Sequence, residues 1–158
     1  CINPGFVLGD FLNEKSCTSM EYVKQLLQGK FPAAPKFSVM ISHVKDIAKA
    51  HVLSLTNRNA GGRRLIVGSE VRSILELSKI MAANIPSHIK KLPKRELPNF
   101  MVKLLSYIDT SAKNMVPDLG LKMQTDPTYA EEILEMKFIA SETAVVDAAK
   151  SVIRLNLA

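Results

Sequence analysis

Three tyrosines and three histidines are the side chains through which this chain could move a proton, and none has the partner that such chemistry needs. A tyrosine becomes a useful proton donor near neutral pH when a lysine one helical turn away lowers its pKa. Tyr22, Tyr107 and Tyr129 are followed four residues on by Leu26, Ser111 and Ile133, so there is no Tyr-x-x-x-Lys pair. No Gly-x-Ser-x-Gly elbow presents a serine nucleophile, and neither Cys1 nor Cys17 has a histidine nearby in sequence. A dinucleotide fingerprint places closely spaced glycines between a strand and a helix, where backbone N–H groups meet a pyrophosphate. Gly5 and Gly9 instead lie inside an apolar run, and Gly61-Gly62 precedes a strand. His43, His51 and His88 lack the spacing of a zinc site. The chain alone thus carries no catalytic residue and no metal set.

What remains is a stretch that could touch a cofactor without reacting. Ile2-Asn3-Pro4-Gly5-Phe6-Val7-Leu8-Gly9 reads as a buried strand ending in a sharp loop. Such a strand belongs in the middle of a parallel sheet, yet nothing precedes it to pair with. The expectation is that this chain is the back half of a larger protein. Pro4 lacks an N–H and sets a rigid turn, and Gly5 allows close backbone approach. A plain buried strand and turn would use both residues equally well.

The elements that position this stretch alternate between strand and helix. Thr18-Ser19-Met20-Glu21 has the pattern of a capping box, opening a helix with Val23, Leu26 and Leu27 on one face and Gly29 as its stop. Pro32 and Pro35 predict a loop. Phe37, Val39 and Ile41 alternate with polar or flexible residues as in a short strand. Val44, Ile47, Ala48, His51, Val52 and Leu55 then follow helical spacing, which places His51 on an apolar, buried or half-buried face. His43 and Asp46 sit at the start of that helix, where a structural role is expected. Leu65 to Val67 reads as a strand and Ser73-Ile74-Leu75-Glu76 as a second capping box. His88 to Leu92 predicts an edge strand, Phe100 to Tyr107 a helix, Ser111 to Leu119 a weaker one, and Thr128 to Met136 another. Ser141 is expected to cap a final helix carrying Val145, Val146, Ala149, Val152 and Ile153. The pattern is α/β with more helix than strand. Three or four short strands make a poor independent sheet, so the chain is expected to pack against more sheet than it holds.

Bulk properties narrow the class further. The length of 158 residues suits one domain or a large piece of one, and 47% apolar with 23% charged residues is ordinary for a globular protein. No apolar run approaches the roughly 20 residues of a membrane span. The net charge of +6 raises the question of nucleic acid. Its one local cluster, Lys90, Lys91, Lys94 and Arg95, has no interleaved aromatic residue and reads as a solvated basic loop, so no nucleic-acid partner is expected. Two cysteines make no disulfide framework, which predicts a reduced, cytoplasmic protein.

Taken in order, these segments resemble the C-terminal half of the extended short-chain dehydrogenase/reductases, in particular the dihydroflavonol-4-reductase-like and aldehyde-reductase-like group. Ile2 to Gly9 is similar to the family's V-N-P-G-x-V-x-G-P strand and loop, with Asp10 in place of the last proline. Ile41 to His51 looks like its V-D-V-R-D-V-A-x-A-H segment, with His43 in place of aspartate. Ala60 to Val67 resembles its A-x-G-R-R-Y-I strand. Asp126, Ala130 and Glu132-Ile133-Leu134 resemble its D-N-S-K-A-x-x-x-L-G-W tail, where Glu135-Met136 replaces Gly-Trp. The stretch from Leu92 to Gln124 matches least.

The resemblance implies a Rossmann-type fold seen from its substrate side. Residues 1–9 would complete the cofactor sheet and 10–158 form mainly the substrate-side subdomain. The glycine-rich loop and the catalytic Ser, Tyr and Lys would lie in an N-terminal half that is a partner of this one. NADP is the implied cofactor, with Pro4, Gly5, Phe6 and Val7 against its nicotinamide and Ser19 near its phosphates. Phe11 and Leu12 would face the pocket of a small carbonyl substrate. The implied function is that of an NADP-dependent carbonyl reductase, with this chain alone inactive. A nucleotide-sugar epimerase, a hydroxysteroid-type dehydrogenase and a non-catalytic binding protein of the same fold are alternatives. An exposed sheet edge would also favour self-association into a homo-oligomer.

Overall fold

In the computed structural model, which describes residues 1–158 apart from 16, 108–112, 114, 115 and 122, the opening apolar run is divided at Gly5. β1 (Ile2–Pro4) pairs in parallel with β5 (Leu65–Val67), Ile2 opposite Leu65 and Pro4 opposite Val67. β2 (Phe6–Leu8) pairs in parallel with β4 (Ser38–His43), Phe6 opposite Ile41 and Leu8 opposite His43. One chain direction thus serves two sheets. A Cβ at residue 5 would lie 2.3 Å from the Met40 carbonyl oxygen, so only glycine permits the approach. The Gly5 N–H donates to Ser42 Oγ at 2.8 Å, and that hydroxyl donates to the Val67 carbonyl at 2.6 Å. The buried Ser42 therefore bridges the point where the strand changes partners. The run is not the fully buried strand its composition predicts. Only Leu8 and Gly9 are buried, because among the described residues β1 and β2 are each paired along a single edge.

β4 also pairs antiparallel with β6 (Val71–Ser73), and β3 (Ala34–Pro35) pairs in parallel with β7 (Glu96–Leu97). The expected loop around Pro35 and edge strand over 88–92 are both corrected here. Pro86 opens a single 3-10 turn, and the amides of His88, Ile89 and Lys91 donate to the carbonyls of Ile85, Pro86 and His88. Those donors are used locally and cannot serve a ladder; pairing falls to Glu96–Leu97 instead.

Two apolar clusters hold the layers. The larger joins β2 and β4 to α1 (Thr18–Leu27), α3 (Ile74–Asn84) and the C-terminal helix. Val23, Leu26, Leu27, Leu77 and Met81 are fully buried there, each contributing roughly 1.5–3 kcal/mol over its exposed state. The smaller joins β5 and the side of α2 (Val44–Thr56) that carries Ala50 to Ala130 and Leu134. Helix α4 (Asn99–Leu105) lies near the predicted 100–107, and α5 (Thr128–Leu134) near the predicted 128–136. The weaker helix expected over 111–119 falls largely outside the described residues; Val116–Asp118 form a 3-10 turn. The chain closes on α6 (Ser141–Arg154), which buries Val145, Val146, Ala149 and Val152.

Caps divide between the expected and the displaced. Ser73 and Glu76 form the full reciprocal box, with the Glu76 N–H donating to Ser73 Oγ at 3.2 Å and the Ser73 N–H to Glu76 Oε2 at 2.7 Å. Thr18 is inside its helix rather than capping it. Cys17 occupies the cap position, and Glu21 turns instead to Gln25 at 2.9 Å and Lys24 at 3.3 Å. Ser141 likewise is the first residue of α6, not its cap. Its hydroxyl donates to the Glu70 carboxylate and accepts from Arg72 Nε at 3.0 Å.

The face of α2 is the largest departure. Of its predicted apolar stripe, Ile47 is half-buried against the smaller cluster, but Val44, Ala48, Val52 and Leu55 are exposed, Val52 by 64% and Leu55 by 85%, and His51 is exposed with them. The buried side is carried by Asp46 and Ala50. His51 is therefore not a core histidine; its Nδ1 lies 2.8 Å from the Ile47 carbonyl one turn back.

Candidate functional site

A cleft of about 470 Å³ opens at the carboxyl ends of the parallel pair β2 and β4. In open α/β sheets this is where ligands bind, because strand ends and helix starts meet there. Gly5, Phe6 and Val7 line one wall, and Phe11, Ser19 and Val44 line others. The expected contacts therefore separate. Gly5, Phe6, Val7, Ser19 and Phe11 share this cleft, whereas Pro4 and Leu12 do not line it. Pro4 lies in β1 opposite Val67, and Leu12 is 94% exposed.

The walls are set by packing behind them. Phe6 meets Tyr22 of α1 edge-on, with centroids 5.9 Å apart, and Tyr22 stacks on Phe31 at 5.2 Å. Burial pushes the Tyr22 phenol well above its usual pKa, so this ring stays neutral and serves as support. Gly9 turns the chain out of β2 at φ 131°, a conformation that favours glycine, and a Cβ there would strike Val44 at 2.8 Å. Thr18 and Ser19 begin α1 at the rim, so the positive end of a ten-residue helix faces the opening.

Residues that sequence reasoning passed over, Ser151 and Arg154, fix this geometry together with His43 and Asp46, for which a structural role at the start of α2 was expected. The loop after β2 is clamped to α6: the Phe11 N–H donates to Ser151 Oγ at 2.8 Å, and that hydroxyl donates to the Phe11 carbonyl at 3.1 Å. Arg154 reaches Asp10 at 2.9 Å and the Phe11 carbonyl at 3.0 Å. Beneath Gly9 sits the buried His43. Its Nδ1 accepts from the Lys45 N–H at 3.1 Å, and its Nε2 lies 3.4 Å from Asp147. That places the ring proton on Nε2 and makes His43 the side-chain cap of α2. Asp46 is also buried. Burial raises its carboxyl pKa, opposed first by the Ile139 N–H that it accepts at 2.8 Å. The visible cue for Ser42, which sequence reasoning missed, was a polar side chain in a strand that otherwise reads Val-Met-Ile. Among the described residues no cluster of His, Cys, Asp and Glu could hold a metal ion, and no helix is long and apolar enough to cross a membrane.

No protein-family model matches the chain. Over 87 residues it is 30% identical to tetraketide alpha-pyrone reductase 2 of Arabidopsis thaliana, covering 55% of this chain and 27% of that protein. Over 86 residues it is 34% identical to cinnamoyl-CoA reductase CAD2 of Medicago truncatula, covering 54% and 26%. Its fold matches yeast methylglyoxal/isovaleraldehyde reductase Gre2 complexed with NADPH, with a TM-score of 0.72 at 20% identity. That superposition takes in 98% of this chain and 43% of the reductase, so the chain spans less than half of the solved relative.

Proposed function

We propose, for a chain that belongs to the extended short-chain dehydrogenase/reductases, that it is the substrate-side half of an NADP-dependent reductase of carbonyl compounds. The observation that carries this reading is the cleft at the ends of β2 and β4, on a fold that in the yeast reductase is complexed with NADPH. The residues present fit the nicotinamide end of that cofactor. Phe6 and Val7 offer an apolar wall to a planar ring, and Gly5 adds no bulk beside it. Ser19 and the start of α1 suit an anionic group. Pro4, outside the cleft, acts by ending β1, and Phe11 with Leu12 faces the substrate.

The chemistry supplied by the bound cofactor is hydride transfer. This chain's share is to bind and orient the ring and to keep water from its apolar side. The proton donor, a tyrosine assisted by lysine, belongs to a second half with its own glycine-rich loop. Residues 1–9 join that half's sheet, and the rest forms the substrate side. The exposed stripe on α2 supports a packing partner of this kind. Both curated relatives bear reductase names, which favours this reading over an epimerase or a non-catalytic protein of the same fold. The two free, exposed cysteines suit a cytoplasmic protein.

Titration of the isotope-labelled chain with NADPH, followed by amide NMR shifts, tests the proposal. The expected result is weak, millimolar binding that moves the amides of Gly5 to Gly9 and Ser19. Micromolar affinity would overturn the half-site reading, and shifts confined to other residues would overturn the placement of the nicotinamide.

A further inference from the structure

We propose that the cleft between the end of α1 and the loop 90–95 is a second binding site, one for the phosphate groups of a small soluble ligand. It goes beyond the nicotinamide cleft and does not depend on it. This cleft has a volume of about 440 Å³, with Lys90, Lys91, Lys94 and Arg95 on one wall and Gly29 and Phe31 on the other. Helix α1 is ten residues long, so the two clefts lie about 15 Å apart along it.

A solvated basic loop accounts for exposed lysines, but not for four cations gathered on one concavity without an acid. Among the described residues none of the four makes an ion pair. The neighbouring acid, Glu96, faces Lys36 at 4.0 Å. Nor is the cluster used up by the negative end of α1. Gln28, Gly29 and Lys30 already donate their N–H groups to the carbonyls of Lys24, Leu26 and Gln25. A helix end carries about half a negative charge, against four positive ones. All four of these exposed residues line the cleft.

The backbone bearing these charges is fixed. Leu92 is buried in the main core, the Pro93 carbonyl accepts from the buried Ser78 hydroxyl at 2.9 Å, and the Arg95 carbonyl accepts from the Ala34 N–H at 2.9 Å. On the opposite wall Gly29 adopts φ +76°, and a Cβ there would lie 3.2 Å from Lys91 Cβ. A fixed backbone leaves only side-chain freedom to be lost when these cations bind an anion. The concave shape suits a compact phosphate ligand. It does not suit a nucleic-acid strand, which needs successive stacking rings; Phe31 alone lines the cleft, and it is already stacked on Tyr22.

The test is titration with inorganic pyrophosphate at constant ionic strength, read from amide shifts. Saturable shifts at Gly29, Lys91 and Arg95 are expected. The double variant K91Q/R95Q should bind at least about tenfold more weakly, because charge-assisted contacts to phosphate are lost. K150Q, on the exposed side of α6, should bind as the parent does. If K91Q/R95Q misfolds, K90Q/K94Q serves in its place. Unsaturable shifts, or equal weakening by K150Q, would reduce the cleft to general surface charge and overturn the proposal. Tighter binding of a short single-stranded oligonucleotide than of pyrophosphate, at matched phosphate concentration, would overturn it in favour of a nucleic-acid surface.

Discussion

Ser42 holds two backbone groups across a junction where a strand leaves one partner for another. Its hydroxyl accepts from Gly5 and donates to Val67, both at short distance, with no water exposure. Ser42→Ala removes both contacts at once and leaves a buried donor and acceptor behind. It should lower stability by about 2 kcal/mol, since an unsatisfied buried group costs roughly 1–3 kcal/mol. Gly5→Ala should cost at least as much, because its Cβ meets the Met40 backbone rather than a side chain that could swing away. Urea midpoints of the two variants against the parent measure both. An unchanged midpoint for Ser42→Ala would mean that the hydroxyl does not bridge the strands in solution.

At the scale of elements, α2 separates what a sequence can reveal from what it cannot. Its helical period was legible, and so was its start at Val44 after His43. Which face is buried was not, because periodicity locates an apolar stripe and says nothing of what covers it. The small Ala50 and the hydrogen-bonded Asp46 pack inward, and the larger Val52 and Leu55 face out. The same gap explains Thr18 and Ser141. Thr18, three residues before Glu21, suggests a cap, but Glu21 found Gln25 and Lys24; Ser141, a serine ahead of an apolar helical run, suggests one too, but found Glu70 and Arg72. Ser73, with no competing side-chain partner from elsewhere among the described residues, kept its box. In the cleft, the stretch from Gly5 to Val7 was singled out by its resemblance to a family segment, its Pro-Gly turn alone fitting a plain strand as well, whereas the clamps from Ser151 and Arg154 lie some 140 residues away in sequence, beyond any local pattern. The double variant V52K/L55K should leave stability within about 0.5 kcal/mol, as exposed substitutions do. It should also reduce self-association in sedimentation velocity, since it charges an open apolar face. A loss well above 1 kcal/mol would place that face in the chain's own core.

For the whole molecule, the acid side of the stability curve should be set in part where β6, α3 and α6 converge, alongside Glu21 and Glu131, whose carboxyls are also held below the usual range. The Ser141 hydroxyl first, then Arg72, hold the Glu70 carboxyl below its usual pKa, and the Ser73 N–H does the same for Glu76. A carboxylate with a depressed folded pKa stabilises the fold above its unfolded pKa of about 4.3 and loses that contribution as pH falls through the folded value. Urea midpoints should therefore drop as pH is lowered from about 5, and Glu70→Gln should flatten that limb, with the gap to the parent narrowing in acid. A limb of unchanged slope in Glu70→Gln would assign the acid sensitivity elsewhere. The break at Gly5 has a further consequence, for how such a chain tolerates insertions and deletions. Register in a sheet is counted residue by residue, and a slip of one turns every side chain to the other face. Because β1 answers to β5 and β2 answers to β4, a residue lost ahead of Gly5 would rephase Ile2 and Asn3 against Leu65 and Ile66 alone. Phe6 and Val7 would keep their places opposite Ile41 and Ser42. Changes of length are thereby confined to the side of the joint away from the cleft.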